Sequence, residues 1–389
     1  AVTLLFSAPL MVLPGLLSGD IYLYMFYGRI VSHYGENPIL VPPDRFQNDP
    51  FLDQVFWGWL PSSYGPVWLL LSGAVSSLAG DSVWANLLAY KLVALLAHLL
   101  TVVVVWILLR RTQPRLAIWG AVFYGWNPLV LVEAVGNGHN DMLIGLFMAL
   151  ALLAAVYRRW LVAVGILVAA VMVKLIVLLV LPVLLMAWFR SLSTVRQRLR
   201  AGIAAAVVGI FAGLVMYAPL WAGTALLENL RDNPASGEYQ NSLWELLVLK
   251  VISPNHDQRL SVFHGGLDVA RYALLIAVYV FLLWRRLELL DGVLWAWFAY
   301  FLCIGWIWPW YFLPAVPVAA VRGPGRTTAI AAALSLGGLL FWLGWPEPAL
   351  PAAPYFLNYR SVLLLAPAIL VAIWPQTRLG RRRRVPVPV

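Results

Sequence analysis

Apolar runs of roughly 15 to 25 residues, near the length that crosses a ~30 Å hydrocarbon core as a helix, follow one another from one end of the chain to the other. Short hinges bearing charge, proline or glycine separate them. Helices spanning a membrane are therefore predicted near residues 4–17, 84–109, 116–136, 142–157, 161–173, 175–189, 201–221, 269–284, 293–309, 310–321, 327–345 and 360–375. That pattern gives about twelve to thirteen crossings. The run from Val67 to Ala79 is apolar but short, and reads as a re-entrant or interfacial helix. The two runs on either side of Lys174 are also short, so a broken or tilted hairpin is expected there.

The polar positions give the pattern a direction. Arginines gather at Arg110, Arg111 and Arg115, at Arg158 and Arg159, between Arg190 and Arg200, at Arg285 and Arg286, at Arg322 and Arg326, and from Arg378 to Arg384. Loops rich in arginine stay on the cytoplasmic side. Acidic residues collect instead at 18–65, 133–141 and 222–268 and near Glu347, so these segments are expected to face outward. The longest outward segments are 18–65, where IYLYMFYGRIVSHY suggests aromatic-rich interfacial helices, and 222–268. The tail RRRRVPVPV reads first as a stop-transfer signal and second as a contact for anionic lipid.

Composition agrees with this pattern. Hydrophobic residues make up 62% of the 389 and charged residues 11%, which excludes an ordinary soluble domain. Mean hydropathy is +0.82. With no Gly/Ser linker and no repeat of fixed period, 1–389 is expected to be one all-α polytopic bundle. The chain opens inside a shortened apolar run, so the natural N-terminus is expected further upstream. The net charge of +10 comes from 24 arginines and three lysines placed in loops, and implies membrane lipids rather than nucleic acid as the contact. Cys303 is the one cysteine, which excludes an internal disulfide and a cysteine metal cluster.

Against so apolar a background, each ionisable group calls for a reason. Asp20 follows the first run in LLSGDIYLYMFYGRI, with Tyr24, Tyr27 and Arg29 in the next turns; a helix cap is the simplest account of it. In GHND, His139, Asn140 and Asp141 stand together at the start of a span, where Asn140 and Asp141 could also serve as caps. Lys174 interrupts VAAVMVKLIVLLVLP and needs a partner, a wet cavity or a route to the surface; an anionic headgroup such as phosphate would satisfy it. Lys91 and His98 read as interior polar contacts. GWIWPWYFLPAVP supplies Trp306, Trp308, Trp310 and Tyr311, a denser group of aromatics than an interfacial girdle requires, and EYQNSLWELL adds Gln240 and Asn241. No Walker loop, dinucleotide glycine pattern, paired-histidine zinc motif or G-x-S-x-G elbow is present.

GDIYLYMFYGRIVSHYGENPIL, PSSYGPVW, WNPLVLVEAVGNGHND, VKLIVLLVLP and WPWYFLP together resemble the GT-C glycosyltransferases, and within them the polyprenol-phosphomannose-dependent α-mannosyltransferases. PSSYGP stands where the family pattern has a more proline-rich PYGP-like motif. The resemblance implies a GT-C fold and a multi-pass protein of the plasma membrane with its site on the extracytoplasmic face. It implies transfer of a hexose, mannose by preference, from a polyprenyl phosphate to a hydroxyl of a lipid-anchored glycan, with inversion. Asp20 would be the catalytic base. Lys174, His139, Asn140, Asp141, Tyr64 and Arg29 would bind the donor, and Trp308, Trp310, Tyr311, Gln240 and Asn241 the acceptor. No cofactor is expected beyond the lipid-phosphate sugar, and no divalent metal, although Asp141 beside His139 would allow one. The alternative is a transporter or flippase for a lipid-linked sugar, in which binding groups would lie near the bilayer midplane.

Overall fold

The computed structural model describes residues 2–233, 239–247, 260–285, 287–343 and 357–374. Seventeen helices carry the labels used below: α1 Val2–Val12, α2 Asp20–Ser32, α3 Pro66–Ala79, α4 Val83–Thr112, α5 Ala117–Gly125, α6 Pro128–Gly136, α7 Asp141–Val156, α8 Trp160–Val171, α9 Leu181–Arg190 and α10 Val195–Tyr217. After these come α11 Ala225–Asp232, α12 Leu243–Leu247, α13 Leu260–Trp284, α14 Leu289–Cys303, α15 Ala315–Arg322, α16 Arg326–Leu343 and α17 Leu357–Ile373. No strand occurs among the described residues, only an isolated bridge between Gln240 and Trp306. The chain is an all-α, polytopic membrane protein. Parts of the second long polar segment, 222–268, and the basic tail lie outside the described residues.

Among the described residues, four helices are long and apolar enough to cross a membrane unaided: Val83–Thr112, Val195–Leu220, Gly266–Trp284 and Arg326–Leu343. A fifth crossing is formed if Pro114–Gly125 and Pro128–Gly136, bent by 45°, are taken together. Seven further apolar helices have 10 to 17 residues. The twelve to thirteen continuous runs of the sequence are thus largely broken helices. The breaks fall at residues that cannot continue a helix or that divert it: α1 ends before Pro14, α6 begins at Pro128, and the run 310–321 opens with a 3-10 turn, Pro309–Phe312, before α15. Caps mark several starts. Ser82 accepts from the amide of Ala85 at 3.2 Å to open α4, and Thr194 with Gln197 forms a capping box on α10.

Helix α2 differs from expectation in its surroundings. It does not lay an aromatic face outward: Ile21 and the residues from Leu23 to Ile30 are buried, so the helix is enclosed nearly all round. Helix α3 runs against it, and the Tyr90 hydroxyl of α4 lies 3.0 Å from the carbonyls of both Tyr24 and Ser72, tying the three helices together. Lys91, wholly buried on α4, sends its ammonium to the carbonyls of Leu10 at 2.9 Å and Leu13 at 2.5 Å. The last turn of a helix leaves carbonyls without amide partners, and this lysine supplies the donors for α1.

Candidate active site

Two backbone devices bring the first acid to the GHND tetrapeptide. Residues Leu131–Gly136 of α6 wind as a π-helix, a form concentrated at functional sites, and the amide of His139 closes the following turn onto the carbonyl of Glu133 at 3.1 Å. Gly138 then takes φ of +69°, and a Cβ placed on it would lie 2.6 Å from Cδ1 of Ile21, the residue after Asp20. Only glycine fits both the left-handed backbone and that approach. His139 Nδ1 thereby comes to 3.8 Å from Asp20 Oδ2, while its Nε2 lies 3.4 Å from Glu133 Oε2. Asp20 does not act as a cap: Gly19 holds that position, and the aspartate accepts no hydrogen bond among the described residues. The capping account of Asn140 fails equally, since its amide is buried with neither polar atom bonded to the described protein.

Lys174 is placed by a break. α8 stops at Val171, the backbone of Lys174 is extended with φ −152° and ψ 123°, and a 3-10 segment, Leu175–Leu179, follows. The carbonyls freed at that break are taken up by the YGP motif and the residue after it: the amide of Gly65 donates to Val173 at 3.0 Å and that of Val67 to Met172 at 3.0 Å. A Cβ on Gly65 would stand 2.2 Å from the Met172 carbonyl oxygen, so glycine is required for the contact. The ammonium of Lys174 then reaches both oxygens of Asp141, at 3.1 and 2.9 Å. The rings of Tyr311 and Tyr64 flank it, with centroids 4.6 and 5.9 Å away. A buried ion pair of this kind contributes little net stability but costs about 3–5 kcal/mol if one partner is removed.

The predicted residues divide into those that converge and those that do not. Asp20, His139, Asn140, Asp141, Lys174, Tyr64 and Tyr311 share one region. Tyr311, expected beside the acceptor, stands at the lysine instead. Trp310 lies near-parallel to His139, 3.9 Å between centroids at 16°, and to Trp308, 4.9 Å at 10°, so it is engaged in the wall and does not present an open platform to a sugar. Gln240 is tied through its backbone to Gly305 and Ile307, three residues before Trp308 and Trp310 respectively, and its side-chain oxygen has no partner among the described residues. The amide of Asn241 is held by Glu245 at 2.6 Å, and its side-chain nitrogen is likewise unpartnered. Arg29 is the clear departure. Its guanidinium bonds Asp49 at 2.9 Å and Asp81 at 2.8 Å and lies over the Phe51 ring, so it fastens the 43–54 loop to α2 rather than facing Asp20.

Three residues outside the predicted set belong to the cluster: Glu133, Asn137 and Trp342. Glu133 is wholly buried and receives the indole N–H of Trp342 at 2.6 Å and the amide of Asn137 at 2.8 Å. Its sequence signal was a carboxylate inside an apolar run. Of the charged groups, only Asp20, with 22% of its side chain exposed, and Lys174, with 20%, reach the surface. Burial raises the carboxyl of Asp20 above the ordinary aspartate range, and the neighbouring Lys174 opposes this in part. A groove of about 410 Å³ along α7 and α8, bordered by Leu153, Tyr157, Arg159 and Ile166, includes none of these residues. No group of three or more His, Cys, Asp or Glu among the described residues is arranged as a metal centre.

An acid, a cation and a histidine are thus gathered within one helical frame. Residues 1–190 match the family described as alpha-(1->6)-mannopyranosyltransferase, N-terminal domain. Alpha-(1->6)-mannopyranosyltransferase A of Mycobacterium tuberculosis is 27% identical over 403 residues, covering 93% of this chain and 75% of that protein. The protein of the same description from Corynebacterium glutamicum is 26% identical over 250 residues, 58% of this chain and 47% of the relative. Alpha-(1->6)-mannopyranosyltransferase B of that organism is 29% identical over 145 residues, 35% of this chain and 23% of the relative. The chain thus spans three quarters of the first and about half or less of the other two. No solved structure matches it. By its first 190 residues and by a similarity that runs along nearly its whole length, the chain is similar to the α-(1→6)-mannopyranosyltransferases.

Proposed function

We propose that the chain transfers mannose from a polyprenyl phosphate to a hydroxyl of a lipid-anchored glycan at the outer face of the plasma membrane. The observation that carries this is the meeting of Asp20, His139 and Lys174, from three separate stretches of sequence, in one region. The arginine-rich loops favour the outward side for the acids between them. In this reaction the acceptor hydroxyl attacks the anomeric carbon in line with the departing phosphate. Asp20 takes the hydroxyl proton, Lys174 faces the charge that develops on the leaving oxygen, and the anomeric centre inverts. A fixed cation beside the leaving group is worth more in a water-poor site than in bulk solvent. Tyr64, Asn140 and His139 line the donor side, and Gln240 and Asn241 offer amides toward the acceptor. A flippase would need its binding groups near the bilayer midplane, and Lys91, the buried cation best suited to that depth, is already engaged with the carbonyls of α1.

Turnover of synthetic polyprenyl-phosphate mannose in nanodiscs tests the assignment. Asp20→Asn is expected to bind donor normally and to lose about 10²- to 10⁴-fold in rate, the usual worth of a positioned base. Wild-type turnover by that variant would refute it. Lys174→Met is expected to weaken donor binding by roughly 10- to 100-fold, as for loss of a hydrogen bond from a charged group. An unchanged donor affinity would remove the lysine from the phosphate site.

A further inference from the structure

The carboxylate of Glu133 has no role in the reaction just described, yet it is the most completely enclosed charge of the cluster. Among the described residues no lysine or arginine pairs with it, and its titratable neighbour is His139. Both of its oxygens are fixed, Oε1 by the indole of Trp342 at 2.6 Å and Oε2 by the amide of Asn137 at 2.8 Å. Asn137 is itself anchored, its side-chain oxygen accepting from the amide of Leu17 at 2.8 Å, three residues before Asp20. Side chain and backbone of Glu133 both address the same partner, because its carbonyl accepts the His139 amide. The imidazole is held against tilting by the near-parallel Trp310, 3.9 Å away. What the stack leaves open is the half-turn of the ring about Cβ–Cγ, which exchanges each nitrogen with a ring carbon.

We propose that Glu133 is a positioning residue that sets this rotation, holding the Nε2–H of His139 on its own side and thereby keeping Nδ1, rather than a ring carbon, toward Asp20, where Nδ1 accepts a hydrogen bond once Asp20 has taken up its proton. Which imidazole nitrogen carries the proton is decided by the hydrogen bond the other nitrogen makes. The order Glu133, His139, Asp20 is that of an acid orienting a histidine that serves a third group. The distances of 3.4 and 3.8 Å are longer than closed hydrogen bonds. Such contacts commonly tighten when substrate occupies the site. The inference rests on Asp20 being the base, since a histidine aimed at Asp20 matters for the reaction only through that carboxyl.

The test has one readout that does not depend on the reaction. In protein labelled with ¹⁵N-histidine, the His139 resonances, assigned by their loss in His139→Gln, are expected to report hydrogen on Nε2, and Glu133→Gln is expected to change that tautomer. An unchanged His139 signature in Glu133→Gln overturns the inference whatever the activity does. In the mannose-transfer assay Glu133→Gln is expected to lower kcat by about 10- to 100-fold, the range for second partners of a functional histidine, with KM for the donor unchanged. Glu133→Asp should recover part of that loss, and Trp342→Phe, which removes one donor but leaves the charge, should lose less than Glu133→Gln. Wild-type kcat in Glu133→Gln, or a KM that rises as far as kcat falls, overturns it. Normal turnover by Asp20→Asn would instead strike the proposed reaction and leave the tautomer result standing on its own.

Discussion

Asp20 is an acid in the first turn of α2, where a carboxylate complements the helix dipole, but the cap itself is Gly19, and the carboxylate lies 3.8 Å from His139. A carboxyl lifted by burial above its ordinary range is protonated, and lost as a base, at a higher pH than an exposed aspartate. The acid limb of kcat/KM against pH is therefore expected above ~3.9, the value for a free aspartate. A limb at or below that value would separate the limb from Asp20. Asp20, Lys174 and the GHND residues were legible in the sequence for one physical reason: in so apolar a chain every buried charge costs free energy and stands out. Glu133 was not singled out, because its partner Trp342 lies 209 residues further on and nothing local announces that contact. Arg29 was misplaced on the same grounds. Closeness to Asp20 in sequence did not reveal that Asp49 and Asp81 would claim it.

At the scale of elements, hydropathy located the apolar runs but not their breaks. A run counts the same whether the helix is continuous or is interrupted by Pro14, Pro128 or the extended residue Lys174, so the expected crossings exceed the four or five helices that reach spanning length alone. The break beside Lys174 was anticipated from the shortness of its two runs. What closes it was not: Gly65 of the YGP motif and the following Val67 donate backbone amides to the chain just past α8, more than 100 residues away. Gly65→Ala should force the two backbones apart, since its Cβ would meet the Met172 carbonyl oxygen at 2.2 Å. A stability loss of about 1–3 kcal/mol is expected, as for other overpacked contacts. Thermal unfolding in detergent measures it, and donor affinity should fall with it because the same contact sets the start of Lys174. An unaltered midpoint would mean that the loop does not hold the break.

Across the whole molecule, the carboxylates, the histidine and the lysine of the site all lie within the first 190 residues, the portion that matches the mannopyranosyltransferase domain. The later half contributes the aromatic wall of Trp308, Trp310 and Trp342. Lys91 joins α4 to α1 through carbonyls of Leu10 and Leu13, and so fixes the segment that leads into Asp20. Lys91→Met would leave those carbonyls without donors in a buried setting, and a loss on the order of 3 kcal/mol is expected. Limited proteolysis and the thermal midpoint read it; unchanged values for both would show that α1 is held by packing alone. The pairing of Lys174 with Asp141 has a consequence for how such a chain is made. The two residues are 33 apart and sit at the same end of α7 and of the segment that follows α8, so they can meet within one hairpin. Opposite charges that neutralise each other in a single hairpin can leave the translocation machinery as a pair, before the Tyr311 ring that flanks the lysine has been synthesised.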